Sequence, residues 1–197
     1  MSTSLPARLI AVILAAGSSR RFGSIKQLAA IDGLPMVRRA VESVEAAGAD
    51  ALVLVAGRDA TVVHRAAGAH FLIVNEQHED GIGTSIAIAA RTLAPVADGL
   101  MFCLADQPAV PPRHYAALAH SWDGSGDAVI ATACKESVGP PVLFGSAHFD
   151  RLAALEGDVG ARALLREAGD SLVTIRCDEA ALDVDRPADL ECLDQLP

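Results

Sequence analysis

Residues 9–26 read LIAVILAAGSSRRFGSIK. The apolar run 9–14 shows no polar alternation, which is the pattern of a strand covered on both faces in a parallel sheet. It runs into the small residues Ala15, Ala16, Gly17, Ser18 and Ser19, followed by Arg20, Arg21, Gly23 and Lys26. Small side chains let backbone N–H groups approach a ligand closely, and consecutive N–H groups in a turn form a nest for an anion. The three cations add charge beside that nest. The chemistry is that of a grip on a polyphosphate, set against the plainer reading of a strand exit with solvated arginines.

Outward from this stretch, short apolar runs alternate with helical patterns. Apolar spacing and the flanking Pro35 and Gly48 predict a helix over 36–47. Strands are expected at 51–55, 71–74, 100–104, 127–132, 142–144, 172–175 and 181–184. Further helices are expected at 61–67, 85–93, 112–121, 146–155, 160–168 and 188–196. Such alternation implies a three-layer α/β/α fold of Rossmann-like type, with a mostly parallel sheet and residues 1–197 as one domain. Ligands of such sheets bind beyond the carboxyl ends of the strands. Those ends carry Ala15–Gly17, Gly57, Asn75, Asp106 and Asp185.

Composition narrows the function classes. The chain has 197 residues, 51% of them apolar, enough to bury a core without disulfides or a structural metal. A net charge of −9, with no basic tail, argues against a nucleic-acid partner. Cys103, Cys134, Cys177 and Cys192 form no C-x-x-C pair, so a reduced, cytoplasmic chain without zinc is expected. The start, MSTSLPARL, has no signal-peptide pattern, and no apolar run approaches the roughly 18 residues of a membrane span.

Two familiar phosphate loops do not fit. A Walker A loop needs four residues between its glycines and Lys directly after the second; here five separate Gly17 from Gly23, and Lys26 lies three further on. A dinucleotide fingerprint needs G-x-G-x-x-G opening a helix, whereas Gly17-Ser18-Ser19 lacks the second glycine and Pro35 delays the helix. Leu14–Lys26 instead resembles the signature of the MobA-like nucleotidyltransferases, L-A-[AG]-G-x-S-x-R-[MF]-G-x-x-K. Further segments resemble that family in order. They are Asn75 with Gly81-Ile82-Gly83-Thr84-Ser85, Asp106-Gln107-Pro108, Gly139-Pro140-Pro141-Val142-Leu143-Phe144, Gly157-Asp158-Val159-Gly160-Ala161-Arg162 and Asp183-Val184-Asp185-Arg186-Pro187-Ala188-Asp189. The fourth, Gly157–Arg162, is similar to the G-D-x-G-A-R of the molybdenum cofactor cytidylyltransferase branch.

The resemblance implies a nucleotide-diphospho-sugar-transferase type of fold and transfer of CMP from CTP to the phosphate of molybdopterin, with release of pyrophosphate. It implies Arg21, Lys26 and Asp106 as catalytic groups, and Asp106 and Asp185 as Mg²⁺ ligands, with Asp183 an alternative to Asp185. Nucleotide contacts would come from Leu14, Ala15, Ala16, Gly17, Ser18, Ser19, Arg21, Lys26, Gly57, Asn75, Gly81, Ser85 and Asp106. Acceptor contacts would come from Gly139, Pro141, Asp158 and Arg162, although Asp158 and Arg162 also stand where an ion pair or helix-dipole role competes. In the family, L-A-A-G goes with cytidylyl and L-A-G-G with guanylyl transfer, so Ala16 points to CTP over GTP. A molybdoenzyme is the implied protein partner. Another small phosphorylated acceptor, or a non-catalytic cofactor-holding accessory, is the alternative reading.

Overall fold

The run 9–14 forms strand β1, Leu9–Leu14, and all six of its residues are buried. The computed structural model describes residues 7–17, 19, 22–135 and 137–195. After β1 come a two-residue hairpin, β2 (Ala30–Ile31) and β3 (Leu34–Pro35), then helix α1 (Met36–Glu45), β4 (Ala51–Ala56), α2 (Ala60–Ala67), β5 (Phe71–Val74) and α3 (Ile82–Leu93). The chain continues through β6 (Gly99–Leu104), α4 (Pro112–His120), β7 (Val129–Cys134), β8 (Ser137–Gly145), α5 (Phe149–Ala153), α6 (Arg162–Ala168) and β9 (Leu172–Arg176).

Seven strands form one sheet in the order β5-β4-β1-β6-β8-β7-β9. β1 lies between β4 and β6 and is parallel to both, with Leu14 opposite Val55 on one side and Leu104 on the other. β8 runs antiparallel to β6 and β7, so the sheet is mixed with one reversed strand. Alternate residues of β1 enter opposite layers. Ala11 and Ile13 meet α1, α2 and α4 through Val41, Val63 and Leu118. Ile10, Val12 and Leu14 meet α3, α5 and α6 through Ile86, Leu152 and Leu164. Covering on both faces is what makes the run continuously apolar. The Rossmann-like three-layer architecture expected from sequence is the one observed.

Several boundaries differ, for physical reasons. The expected strand 142–144 extends to Ser137 and passes through Pro140 and Pro141. Prolines cannot donate ladder hydrogen bonds, and the register shifts between Ala131 and Thr132, so that Thr132 pairs with Gly139 and both prolines fall in the bulge. The expected strand 181–184 is absent. A 3₁₀ turn covers Asp178–Ala181, and the chain then crosses the strand ends without regular structure. Its apolar residues are explained by burial alone, since Val184 is fully buried against Ile31 and Met36. The expected helix 188–196 is a 3₁₀ segment, Pro187–Gln195, and 146–155 divides into a 3₁₀ turn, Ser146–His148, and the short α5. The hairpin, unassigned from sequence, turns through Asp32 and Gly33, both at positive φ, as an Asp-Gly turn requires.

Candidate active site

A cleft of about 340 Å³ opens at the carboxyl ends of β1 and β4. Of the residues singled out by sequence, it is lined by Ala15, Ala16, Gly17, Ser19 and Gly57. Ala15 continues the β1–β4 ladder, its N–H donating to Val55 O at 2.8 Å, so its amide is spent on the sheet. Beyond it the ladder stops. Among the described residues nothing accepts a hydrogen bond from the amides of Ala16 and Gly17. Free amides beside a cleft are the requirement for an anion nest. Ser18, Arg20 and Arg21 lie outside the described residues.

The loop is held from beneath by a residue that sequence reading missed. Gln27 is buried, and its Nε2 donates to Ala15 O at 2.8 Å and Gly17 O at 3.1 Å. Its Oε1 accepts from Ser19 Oγ at 3.2 Å, and the same hydroxyl accepts from Lys26 N at 3.1 Å. Ser19 is at φ 52°, a left-handed conformation that costs a non-glycine residue about 1–3 kcal/mol and persists only where neighbours over-determine it. The Gln27–Ser19–Lys26 network is that constraint. Gln27 holds the carbonyls of Ala15 and Gly17, and the amides between them stay uncommitted among the described residues. The available signal was a polar residue directly after Lys26 in an otherwise apolar segment.

Beside the loop, at the end of β6, stands a second group of charges. Lys26 Nζ donates to Asp106 Oδ2 at 2.7 Å, Asp185 Oδ1 at 3.0 Å and Val184 O at 3.2 Å. Burial opposes the charged ammonium, but the charge and hydrogen bond of Asp106, with those of Asp185, outweigh it and raise the Lys26 pKa above its ordinary value. The segment carrying Asp185 is docked by Val184 N donating to Asp106 O at 2.8 Å and by Gln107 Nε2 donating to Ala180 O and Asp183 Oδ1. Asp183 and Asp185, the alternative metal ligands, part company because the expected strand does not form. Asp183 faces Gln107, while Asp185 faces Lys26. Burial, then the neighbouring Asp106, push the Asp183 pKa up.

Two carboxylates and a carbonyl converging on one small cation form an oxygen-only donor set, which suits a hard divalent ion that keeps water and phosphate oxygens as its remaining ligands. Among the described residues no group of three or more His, Cys, Asp or Glu is disposed to enclose a metal. The corner therefore fits a cation completed by a substrate better than a self-sufficient protein cage.

Other expected residues frame the cleft without lining it. Asn75 is buried at the end of β5; its Nδ2 donates to Thr84 Oγ1 and Ser85 Oγ, both at 2.9 Å, and its Oδ1 accepts from Gln77 N. It thereby pins the start of α3 to the sheet. Leu14, Gly81 and Ser85 belong to this supporting layer. Gly83 N donates to Gly157 O at 2.9 Å, and a Cβ on Gly83 would meet three carbonyl oxygens, of Glu156, Gly157 and Val159, at 2.8 Å each. The paired glycine segments are thus a packing contact between α3 and the loop 156–160. Asp158 and Arg162 are exposed beyond this contact, and no ion pair joins them among the described residues. Pro141 O accepts from Thr132 Oγ1 at 2.8 Å, while a Cβ on Gly139 would meet nothing.

The opposite wall was also missed from sequence. Arg58, Asp59, His78 and Glu79 line the cleft, and Arg58 Nη2 is hydrogen-bonded to Glu79 Oε1 across it. The His78 ring lies where a Cβ on Gly57 would sit, which is the reason for glycine at that strand end. No helix among the described residues is long and apolar enough to cross a membrane.

Known proteins are similar to this chain in sequence and fold. The family model described as the MobA-like NTP transferase domain matches residues 11–172. The chain is 31% identical over 167 residues to the bifunctional protein GlmU of Allorhizobium ampelinum, covering 82% of this chain and 35% of that protein. It thus spans about a third of the length of that relative. It is 29% identical over 197 residues to the purine catabolism protein PucB of Bacillus subtilis, covering 93% and 94% of the two chains. The crystal structure of Rv0371c from Mycobacterium tuberculosis superimposes with a TM-score of 0.84 at 28% identity, covering 98% of this chain and all of that one. A manganese complex of Rv0371c gives 0.79 at 26% identity, covering 96% of this chain and 100% of that one. With the family model spanning the phosphate loop, the carboxylate at the end of β6 and the reversed strand between them and β9, the chain belongs to the MobA-like NTP transferase family.

Proposed function

We propose that this chain, acting as one domain, is a nucleotidyltransferase that transfers CMP from CTP to the phosphate of molybdopterin and releases pyrophosphate. The observation that carries the reading is the convergence of Asp106, Asp185 and Lys26 beside a loop with unspent amides. A phosphate oxygen of the acceptor attacks the α-phosphorus, one P–O bond forms, and the bond to the β-phosphate oxygen breaks. Positioning and charge neutralisation supply most of the catalysis in such a transfer, so no protein nucleophile is needed. The amides of Ala16 and Gly17 hold phosphate oxygens, and Lys26 and Arg21 offset the charge that grows on the leaving group. Asp106 and Asp185 hold Mg²⁺, which supplies Lewis-acid charge at the phosphates when bound. The manganese complex of Rv0371c supports a divalent cation in this family.

Ala16 lines the cleft, and a methyl at this position would crowd a purine more than a smaller pyrimidine, which supports CTP over GTP. Gly139, Pro141, Asp158 and Arg162 are assigned to the acceptor. The test is pyrophosphate release with CTP, Mg²⁺ and molybdopterin, beside a panel of nucleotides by calorimetry. Release with CTP alone among the nucleotides supports the reading, and tighter binding of GTP overturns the base assignment. A second reading is a cofactor-holding accessory to a molybdoenzyme. It draws on the match along nearly the whole of PucB, a protein named for a catabolic route. Tight molybdopterin binding without pyrophosphate release would select it.

A further inference from the structure

The Lys26 ammonium has three protons, and all three are committed, to Asp106 Oδ2, Asp185 Oδ1 and Val184 O. A lysine so held cannot reach a triphosphate in the cleft. Equally, the two carboxylate oxygens it occupies cannot be offered to a metal ion while it stays. The backbone of Lys26 is fixed to the loop by the hydrogen bond its N–H donates to Ser19 Oγ, so the side chain is the movable part. Its Cε lies 3.8 Å from where a Cβ on Gly17 would stand, so the stem already runs beside the loop whose amides are free. Turning the last torsions of that stem re-aims the ammonium from the carboxylates towards the nest.

We propose that Lys26 is a tethered counter-cation that competes with the divalent metal for Asp106 and Asp185, so that the free protein binds the metal weakly and a triphosphate strengthens that binding. The inference rests on the reading that these two aspartates hold the metal. Phosphate oxygens at the nest draw the ammonium away, and the oxygens of Asp106 and Asp185 that it held are offered to the ion that the triphosphate brings. Metal and nucleotide are then positively coupled, and the coupling is reciprocal. The competition lowers apparent metal affinity by the fraction of molecules in which the corner is free, so a corner free in roughly one molecule in ten weakens binding about tenfold.

The experiment measures Mn²⁺ binding to the full chain by electron paramagnetic resonance of the free ion, with no turnover involved. Wild type, Lys26→Met, Lys26→Gln and Asp106→Asn are compared with and without a non-hydrolysable CTP analogue. Without nucleotide, both Lys26 variants are expected to bind Mn²⁺ about tenfold more tightly than wild type. With the analogue, the wild-type affinity rises and the gap closes. Lys26→Gln keeps hydrogen-bonding capacity at the corner should Lys26→Met not fold. Equal or weaker binding by the folded Lys26 variants overturns the competition. If Asp106→Asn weakens binding in that case, the metal assignment survives alone; if Asp106→Asn binds like wild type in both conditions, the metal assignment falls with it.

Discussion

Replacing Gln27 with Leu removes the brace under the phosphate loop while nearly keeping its volume. Three hydrogen bonds are lost, at 2.8, 3.1 and 3.2 Å. Ala15 is 4% exposed, so its carbonyl is left buried without its partner, at a cost of about 1–3 kcal/mol, while the more exposed Gly17 carbonyl regains water and loses about 0.5–1.5 kcal/mol. The sum is about 2–4 kcal/mol, or a fall in Tm of about 5–15 °C for a chain of this size. Ser19 also loses the acceptor that holds its left-handed backbone, so the loop amides lose their alignment. We therefore expect Mg-CTP affinity to fall at least about tenfold, a loss of about 1.4 kcal/mol. Thermal denaturation and calorimetry check both effects. Leu152→Ala, on the buried face of α5 and not among the cleft's lining residues, serves as a control that loses stability without losing affinity. Loss of Tm in Gln27→Leu with CTP affinity intact would show that Gln27 supports the fold only.

Asp106→Asn leaves Lys26 an amide oxygen and its bonds to Asp185 and Val184 O; we expect turnover to drop about 10³-fold with Tm changed by only a few degrees, measured by pyrophosphate release and calorimetry. Gly83→Ala drives a methyl against three backbone carbonyls, and the clash is expected to exceed the helix-propensity gain of about 1 kcal/mol and destabilise by about 2–4 kcal/mol in chemical denaturation. His114 is buried, with Nε2 2.8 Å from Thr132 Oγ1, and burial lowers its pKa below 6.5 despite the nearby Glu179. A depressed folded-state pKa means that its stabilisation is present above the unfolded value and lost as pH falls. Wild-type Tm is therefore expected to decline more steeply than that of His114→Gln between about pH 7 and pH 5.5, and parallel curves would refute the assignment.

The central half of the fold was legible because its signals are local. A strand buried on both faces is uniformly apolar, and 9–14, 51–55 and 100–104 all read that way. What escaped were features decided by tertiary partners. Residues 181–184 carry strand-like apolar content, yet the neighbouring sheet position at β7 belongs to β9, and Val184 finds its burial in the small cluster with Ile31 and Met36. Pro140 and Pro141 cannot donate ladder hydrogen bonds, and only pairing with β7 reveals the bulge that absorbs them. Gln27 and Gln107 passed unremarked as site residues because an uncharged side chain shows its importance through burial and partners, neither of which is written in composition. Gly57 was noticed as a strand end, but the His78 ring that demands its missing Cβ lies 21 residues away.

The site's two halves are neighbours because of strand order. β1 sits between β4 and β6, and parallel neighbours lie about 4.8 Å apart. From β1 the chain winds outward through β4 to β5, then returns to β6 on the other side, so the crossover directions diverge at β1. Loops leaving strands on either side of such a divergence separate and leave a crevice, where ligands of open α/β sheets bind. The loop after β1 spans it. On the β4 side its Ala16 and Gly17 line the cleft beside Gly57, and on the β6 side its Lys26 reaches the carboxylate of Asp106. A group that must meet both amides and carboxylates, as a metal-bound triphosphate does, has one address in this topology.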